Sequence, residues 1–247
     1  MSIESDRDWR GLRAVGRIVA LTLDLLEREA AVGVTTAALD AGAAAFIGFH
    51  GAFSAPARTY GFPGTVLVSV NDAVVHGIPD GRALRDGDVV KFDVTLEKDG
   101  YVADAARTVV LGRGSERALA LKACAEAAFA RAMDVARAGA LVRHVGAAID
   151  AEVCARGFRV IRELGGHGVG RTIHEPPFMP NFDDHRQRHR LSRGLVVAIE
   201  PIIAAGAPAM ITDDDGWTVR TKDASLTAHF EHTVAITDGR PILLTAA

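Results

Sequence analysis

The sequence predicts a mixed α/β (α+β) fold in a single domain spanning residues 1–247. Three observations carry that expectation. Helical and strand patterns interleave along the whole chain, and neither a low-complexity linker nor a break in composition divides it. With 49% hydrophobic and 24% charged residues, the composition is that of an ordinary globular protein. A chain of 247 residues can also bury most of the surface it exposes when unfolded, so it needs no disulfide or structural metal merely to fold.

Taken in order, residues 8–31 read as an amphipathic helix. Trp9, Leu12, Val15, Val19, Leu23 and Leu26 recur at three- and four-residue spacing, and Gly33 follows the end. Thr35 or Thr36 caps a second helix running to about Gly48. Residues 50–65, rich in Gly, Pro, Ser and Ala, read as a loop, and 65–70 as a strand. A hairpin follows: strands 89–97 and 101–111 joined at Asp99-Gly100. Residues 115–139 and 143–156 are helical, and Gly157 closes the second. Beyond Phe158 the chain reads as loops and strands at 158–163, 195–203, 217–221 and 228–237.

Charge and composition exclude several function classes. Lys and Arg number 28 and Asp and Glu 31, a net charge of −3, so no global basic field exists for DNA or a membrane surface. No apolar stretch reaches the length of a membrane span. The acidic Met1–Asp6 segment lacks the layout of a signal peptide. A cytoplasmic location is therefore expected, with Cys124 and Cys154 as reduced, buried or half-buried thiols. The run from His185 to Arg193, with Arg186, Arg188, Arg190 and Arg193, reads first as a solvated loop and second as a patch for ribosomal RNA.

The informative feature is the set of carboxylates inside apolar strands. Asp93 lies in Val-Val-Lys-Phe-Asp-Val, Asp104 in Tyr-Val-Ala-Asp-Ala-Ala, Glu200 in Val-Val-Ala-Ile-Glu-Pro-Ile-Ile and Glu231 in His-Phe-Glu-His-Thr-Val. Unpaired buried charges are very costly, so four in one chain point to convergence on a cation. A two-residue turn at Asp99-Gly100 makes paired residues sum to 199, which sets Thr95 opposite Asp104. Asp93 then shares a sheet face with Asp104 as its diagonal neighbour. His167, flanked by glycines that allow close approach, is the nitrogen-ligand candidate, with His174 following it. Four carboxylates and one neutral imidazole are balanced by two divalent cations. The oxygen-rich set suits Mn²⁺, Fe²⁺ or Co²⁺ better than a thiolate-type zinc site does. His229 and His232, on either side of Glu231, are assigned to the opposite strand face and left out of the ligand set.

Together these stretches resemble the type I methionine aminopeptidases. The matching segments are Ser69-Val-Asn-Asp-Ala-Val-Val-His76-Gly-Ile-Pro79, Gly87-Asp-Val-Val-Lys-Phe-Asp93-Val, Gly165-Gly-His167-Gly-Val-Gly170 through His174-Glu175, Ala198-Ile-Glu200-Pro201, and Gly216-Trp217 through Phe230-Glu231-His232-Thr233. They run in the family's order from about residue 9 to 240. The resemblance implies the pita-bread fold: an antiparallel-rich curved sheet covered by helices, in pseudo-two-fold halves. It implies five metal ligands, Asp93, Asp104, His167, Glu200 and Glu231, with Asp104 and Glu231 bridging two divalent cations (Co, Mn, Fe or Zn). Glu200 would also be the proton acceptor, and His76 and His174 the pair that contacts substrate. Phe62, Leu67, His76 and Trp217 fall where the methionine pocket is expected. Leu67 stands where many bacterial relatives carry a small Cys or Thr.

The activity so implied is removal of the initiator methionine from nascent chains whose second residue is small, by a monomeric enzyme acting at or near the ribosome. Two competitors are considered. A proline-specific peptidase of the same fold usually carries a large N-terminal domain, and only 92 residues precede Asp93. A non-catalytic relative that binds RNA or protein would have lost ligands, and all five positions are filled here.

Overall fold

The computed structural model describes residues 1–246. Helix α1 (Asp6–Glu29) starts two residues earlier than its apolar periodicity suggests, because Ser5 Oγ accepts from Asp8 N at 3.2 Å and caps it. Its buried stripe, Leu12, Val15, Val19, Leu23 and Leu26, lies in the same core cluster as Phe92, Val94, Val102 and Ala105. Helix α2 (Thr36–Phe49) is capped by Thr35. The segment expected as a loop at 50–65 holds a strand, β1 (Phe53–Ser54), and a short helix, α3 (Ala55–Tyr60). Its Ser, Pro and Gly are helix punctuation: Ser54 caps α3, Pro56 sits in its first turn, and Gly61 ends it at φ 75°.

Strands β2 (Leu67–Val70), β3 (Ala73–Val75), β4 (Val89–Lys98) and β5 (Tyr101–Val110) follow. Then come helices α4 (Glu116–Val135) and α5 (Val142–Ala155), and strands β6 (Arg159–Val160), β7 (Gly165–Gly168), β8 (Glu175–Pro180), β9 (Val196–Ile199), β10 (Ile202–Ala204), β11 (Met210–Thr212), β12 (Val219–Thr221), β13 (Thr227–His229), β14 (Glu231–Ala235) and β15 (Ile242–Leu243). The main sheet runs β1-β4-β5-β14-β9-β7-β8, with β2 added on β4 and β15 on β14, and every pairing is antiparallel. Two three-stranded sheets, β13-β10-β6 and β11-β12-β3, complete the β structure. One apolar cluster joins α1 and α2 to β4 and β5, and a second joins α4 and α5 to β9 and β14.

Two expected strands are each divided. Residues 195–203 break at Glu200-Pro201 and 228–237 break at Phe230. Pro201 has no N–H to donate to the ladder. At the same level Phe230 N bonds Pro201 O at 3.3 Å, and both chains leave the main sheet together to pair as β10 and β13. Cys124 is buried and free, and burial pushes its thiol up to about 11. Cys154, expected at least half-buried, is exposed on the solvent face of α5. Among the described residues, no helix is long and apolar enough to cross a membrane.

Candidate metal centre

Register alone assembles the centre. The β4–β5 hairpin pairs Thr95 with Asp104 and Asp93 with Ala106, the register expected from the two-residue turn. Ala106 pairs in turn with Glu231, and Leu67 with Asp93. Extending the β14–β9 register by one residue sets Glu200 opposite Glu231. One transverse row on one face of the sheet therefore reads Glu200, Glu231, Ala106, Asp93, Leu67. Two residues along every strand, a second row on the same face reads His167, Ala198, Thr233, Asp104, Thr95. Asp104 and Thr233 are locked together. Asp104 N donates to Thr233 Oγ1 at 2.8 Å, and Thr233 Oγ1 donates to Asp104 O at 2.7 Å. Small residues at 106 and 198 leave the space between the carboxylates open.

His167 reaches this face from β7, where its Nδ1 lies 2.9 Å from Gly168 O. That contact leaves Nε2 directed inward, 3.4 Å from Glu200 Oε1 and 3.9 Å from Asp104 Oδ2. The flanking glycines serve strand packing. A Cβ on Gly166 would stand 2.2 Å from Ala198 O, and one on Gly168 2.3 Å from Pro176 O. They let β7 lie close between β9 and β8, the close backbone approach expected of glycines at these positions.

The electrostatics of the protein atoms alone are unfavourable. Burial and mutual repulsion raise Asp93 and Glu231 well above the usual carboxylate range and push Glu200 up to about 8. Asp93 Oδ1, Asp104 Oδ1, Glu231 Oε1 and His229 Nε2 are buried with no hydrogen-bond partner among the described residues. Four orphaned polar atoms at one place, three of them on carboxylates, fit positive charge. Two sets of donor atoms lie within 4.8 Å of one another: Asp104, His167 and Glu231, and Asp93, His229 and Glu231. Carboxylate oxygen with imidazole nitrogen is a donor set for divalent transition-metal cations.

Around this floor a rim closes a cleft of about 820 Å³, counted to its open mouth. All ten site residues named from the sequence line it: Phe62, Leu67, His76, Asp93, Asp104, His167, His174, Glu200, Trp217 and Glu231. His76 holds a left-handed backbone, φ 59°, in the turn after β3. The turn is clamped to β2: Gly77 N donates to Ser69 Oγ at 3.0 Å, and Val68 N donates to Gly77 O at 2.9 Å. A Cβ on Gly77 would stand 2.3 Å from Val68 O, so only glycine fits this approach. His174 sits just before β8, its ring 4.4 Å from that of His167 and its Nδ1 2.7 Å from the Tyr60 hydroxyl. Burial, with His167 and His76 alongside, lowers its pKa to about 4, and burial lowers that of His76 as well. Phe62 and Trp217 meet edge to face at 5.3 Å on the apolar wall.

Two residues depart from the sequence reading. His229 lies on the site side, 3.4 Å from Glu231 Oε2 and 3.5 Å from Glu200 Oε2 through Nε2. Residues two apart on an extended chain share a face, so His229 follows Glu231, and the opposite assignment was an error of parity. His232, one residue beyond Glu231, does face away, packing on Phe129 and contacting Thr245. Tyr60 was hidden by reading α3 as a loop. Its signal in the sequence is the Ser54-Ala55-Pro56 helix start, which places an aromatic at the helix end.

An antiparallel sheet that carries four carboxylates and two imidazoles on one face defines a class, the metal-dependent hydrolases. The chain belongs to metallopeptidase family M24, whose family model matches residues 10–238. It is 41% identical over 247 residues to methionine aminopeptidase 2 of Bacillus subtilis, covering 99% of each chain. Its fold superposes on the crystal structure of methionine aminopeptidase from Thermotoga maritima with a TM-score of 0.96, 31% identity and complete coverage of both chains. A prolidase from Pyrococcus horikoshii shares the fold alone, at 19% identity and TM-score 0.79, and this chain spans 63% of it. The architecture is the pita-bread fold.

Proposed function

We propose that this chain is a methionine aminopeptidase. It removes the initiator methionine from nascent chains and peptides when the second residue is small, at two divalent cations held by Asp93, Asp104, His167, Glu200 and Glu231. One observation carries the reading: the two rows of ligand-type side chains on one sheet face, with orphaned buried oxygens on Asp93, Asp104 and Glu231. Glu231 belongs to both donor sets and would serve both cations; by the family resemblance Asp104 would do the same. The full-length likeness to named methionine aminopeptidases supports the substrate.

Divalent cations at such a centre supply Lewis-acid polarisation of a carbonyl and acidify water at neutral pH. The chain's own groups do the rest. Glu200 borders both imidazoles and accepts the proton of the attacking water. His174 is neutral near pH 7, and with Nδ1 accepting from the Tyr60 hydroxyl its proton sits on Nε2. From there it donates to the scissile carbonyl oxygen as negative charge develops. His76, held in its left-handed turn, lines the cleft, and from there it would contact the scissile amide nitrogen. Phe62, Leu67 and Trp217 form a narrow apolar wall for an unbranched, polarizable methionine side chain. Leu67, 5% exposed, narrows that wall relative to a Cys or Thr.

Metal-stripped protein reconstituted separately with Co²⁺, Mn²⁺, Fe²⁺ and Zn²⁺ should cleave Met-Ala-Ser, leave Met-Lys-Ser intact, and leave Ala-Pro peptides intact. Turnover of Ala-Pro ahead of Met-Ala-Ser would replace this reading with the proline-specific one. Docking on ribosomal RNA through Arg186, Arg188, Arg190 and Arg193 has weaker support. Arg186 is bidentate to Asp184, Arg190 donates to Gly139 O at 2.7 Å, and Arg193 pairs with Asp238 at 3.4 Å. Replacing the four by Ser and measuring ribosome co-sedimentation at low salt decides it: unchanged sedimentation returns the run to a solvated loop.

A further inference from the structure

The register that builds the centre extends one row further. Glu231 pairs with Ala106, so two residues back His229 falls opposite Thr108. That pairing is made through the Thr108 side chain: His229 N donates to Thr108 Oγ1 at 2.9 Å, and Thr108 Oγ1 donates to His229 O at 2.8 Å. On its other edge His229 pairs with Ile202 of β10. The backbone of His229 is therefore fixed from both sides. Its ring is 2% exposed and shares the face of the four carboxylates.

Three rows now stand in order on one face: His167 with Asp104, then Glu200, Glu231 and Asp93, then His229. The two imidazoles flank the middle carboxylate row from opposite sides. His167 Nε2 stands 3.4 Å from Glu200 Oε1, and His229 Nε2 stands 3.5 Å from Glu200 Oε2 and 3.4 Å from Glu231 Oε2. Nε2 of His229 nevertheless has no hydrogen-bond partner among the described residues. Donor atoms at such separations without a shared proton are what two ligands of one ion look like: two arms of about 2.1 Å at a tetrahedral angle span about 3.4 Å.

We infer that His229 is a sixth protein ligand, giving its Nε2 to the cation that Asp93 and Glu231 hold, so that each of the two ions carries one imidazole. The inference rests on the two-ion reading above and adds a residue to it. It has a chemical consequence. Without His229, Asp93, Asp104 and Glu231 form an all-oxygen site that suits Mn²⁺, and an added imidazole moves that site toward Co²⁺ and Zn²⁺.

The test uses the metal-loaded full chain and reads metal binding. Metal content at saturation is measured first, then X-ray absorption at the cobalt or zinc edge counts imidazoles in the wild type. Chelator competition gives the affinity of each ion in wild type, His229→Gln and a control, His232→Gln. Two ions per chain with two imidazoles between them in the wild type supports the inference. So does a loss of at least ~10-fold in the affinity of one ion in His229→Gln, larger for Co²⁺ and Zn²⁺ than for Mn²⁺, since even outer partners of a ligand are worth about 10–100-fold. Two ions per chain with a single imidazole overturns the inference and leaves the two-ion reading standing. Fewer than two ions at saturation overturns that reading, and this inference with it. The wild-type imidazole count stands even if His229→Gln does not fold.

Discussion

The residues of the cleft floor stand on paired strands or one residue beyond them, whereas those of the rim stand on turns and element ends. Asp93, Asp104, His167, Glu200 and Glu231 are positioned by ladder register, and each strand fixes the next. His76, His174, Tyr60, Phe62 and Trp217 are positioned by single local devices: a left-handed turn clamped to β2, a hydroxyl against an imidazole, a helix end, and Asp215 Oδ1 accepting from Trp217 N at 2.8 Å. The electrostatics differ in parallel. Asp93, Glu200 and Glu231 are raised and hold protons when no cation is present, while the rim imidazoles His76 and His174 are lowered and stay neutral. The floor is thus built to collect positive charge, and the rim to present neutral donors and apolar walls.

The strongest way to break this division is at the floor. Asp104→Asn should reduce activity below about a tenth of wild type and lower metal content, because a neutral amide cannot bridge two cations. The fold should survive, since Asp104 is held to Thr233 through its backbone N and O. Activity above that level with metal content intact would remove Asp104 from the centre.

At the rim, His174→Ala should lower kcat by about 10²–10³-fold with little change in KM and none in metal content. A fall in metal content would mean that the rim also holds the ions. A change in KM alone would make His174 a binding group only.

Protonation sharpens the same contrast. In metal-free protein Glu200 is pushed up to about 8 and Asp93 and Glu231 are raised, so cations entering at pH 7 must displace protons from the floor. Metal affinity should therefore rise with pH through about 8, where Glu200 gives up its proton, while His174, lowered to about 4, adds nothing in that range. Calorimetric titration in two buffers of different ionisation heat measures the release. A buffer-independent heat at pH 7 would show that the floor is already ionised.

The smallest effect is expected from Tyr60→Phe. Tyr60 is 49% exposed, and a hydrogen bond is worth about 0.5–1.5 kcal/mol net, so kcat should fall about 2- to 10-fold while metal content holds. An unchanged kcat would show that His174 needs no help to keep its proton on Nε2.

Much of the floor is legible in sequence because strand periodicity is a local rule. Alternation within Val89–Lys98 and the Asp99-Gly100 turn are enough to pair Thr95 with Asp104 and bring Asp93 to the same face. Properly applied, the same rule includes His229, two residues from Glu231, and it is the one floor residue misplaced. The rim is less legible. Ser54, Pro56 and Gly61 look alike as loop residues and as helix punctuation, so α3 and its Tyr60 were missed. The breaks at Pro201 and Phe230 were missed because each strand continues apolar through the break.

By itself the sequence determined the mixed α/β class, the hairpin, the long helices α1, α2, α4 and α5 and the inventory of carboxylates and imidazoles, since these follow from periodicity, turn chemistry and residue type. It also carried a family likeness through the order of its motifs. Only the tertiary structure decided that β5, β14, β9 and β7 lie side by side, that Glu200 meets Glu231, and that His229 and Tyr60 face the cleft. The physical reason is range: alternation acts within one strand, whereas strand order is set by which apolar faces α1, α2, α4 and α5 bury against the sheet.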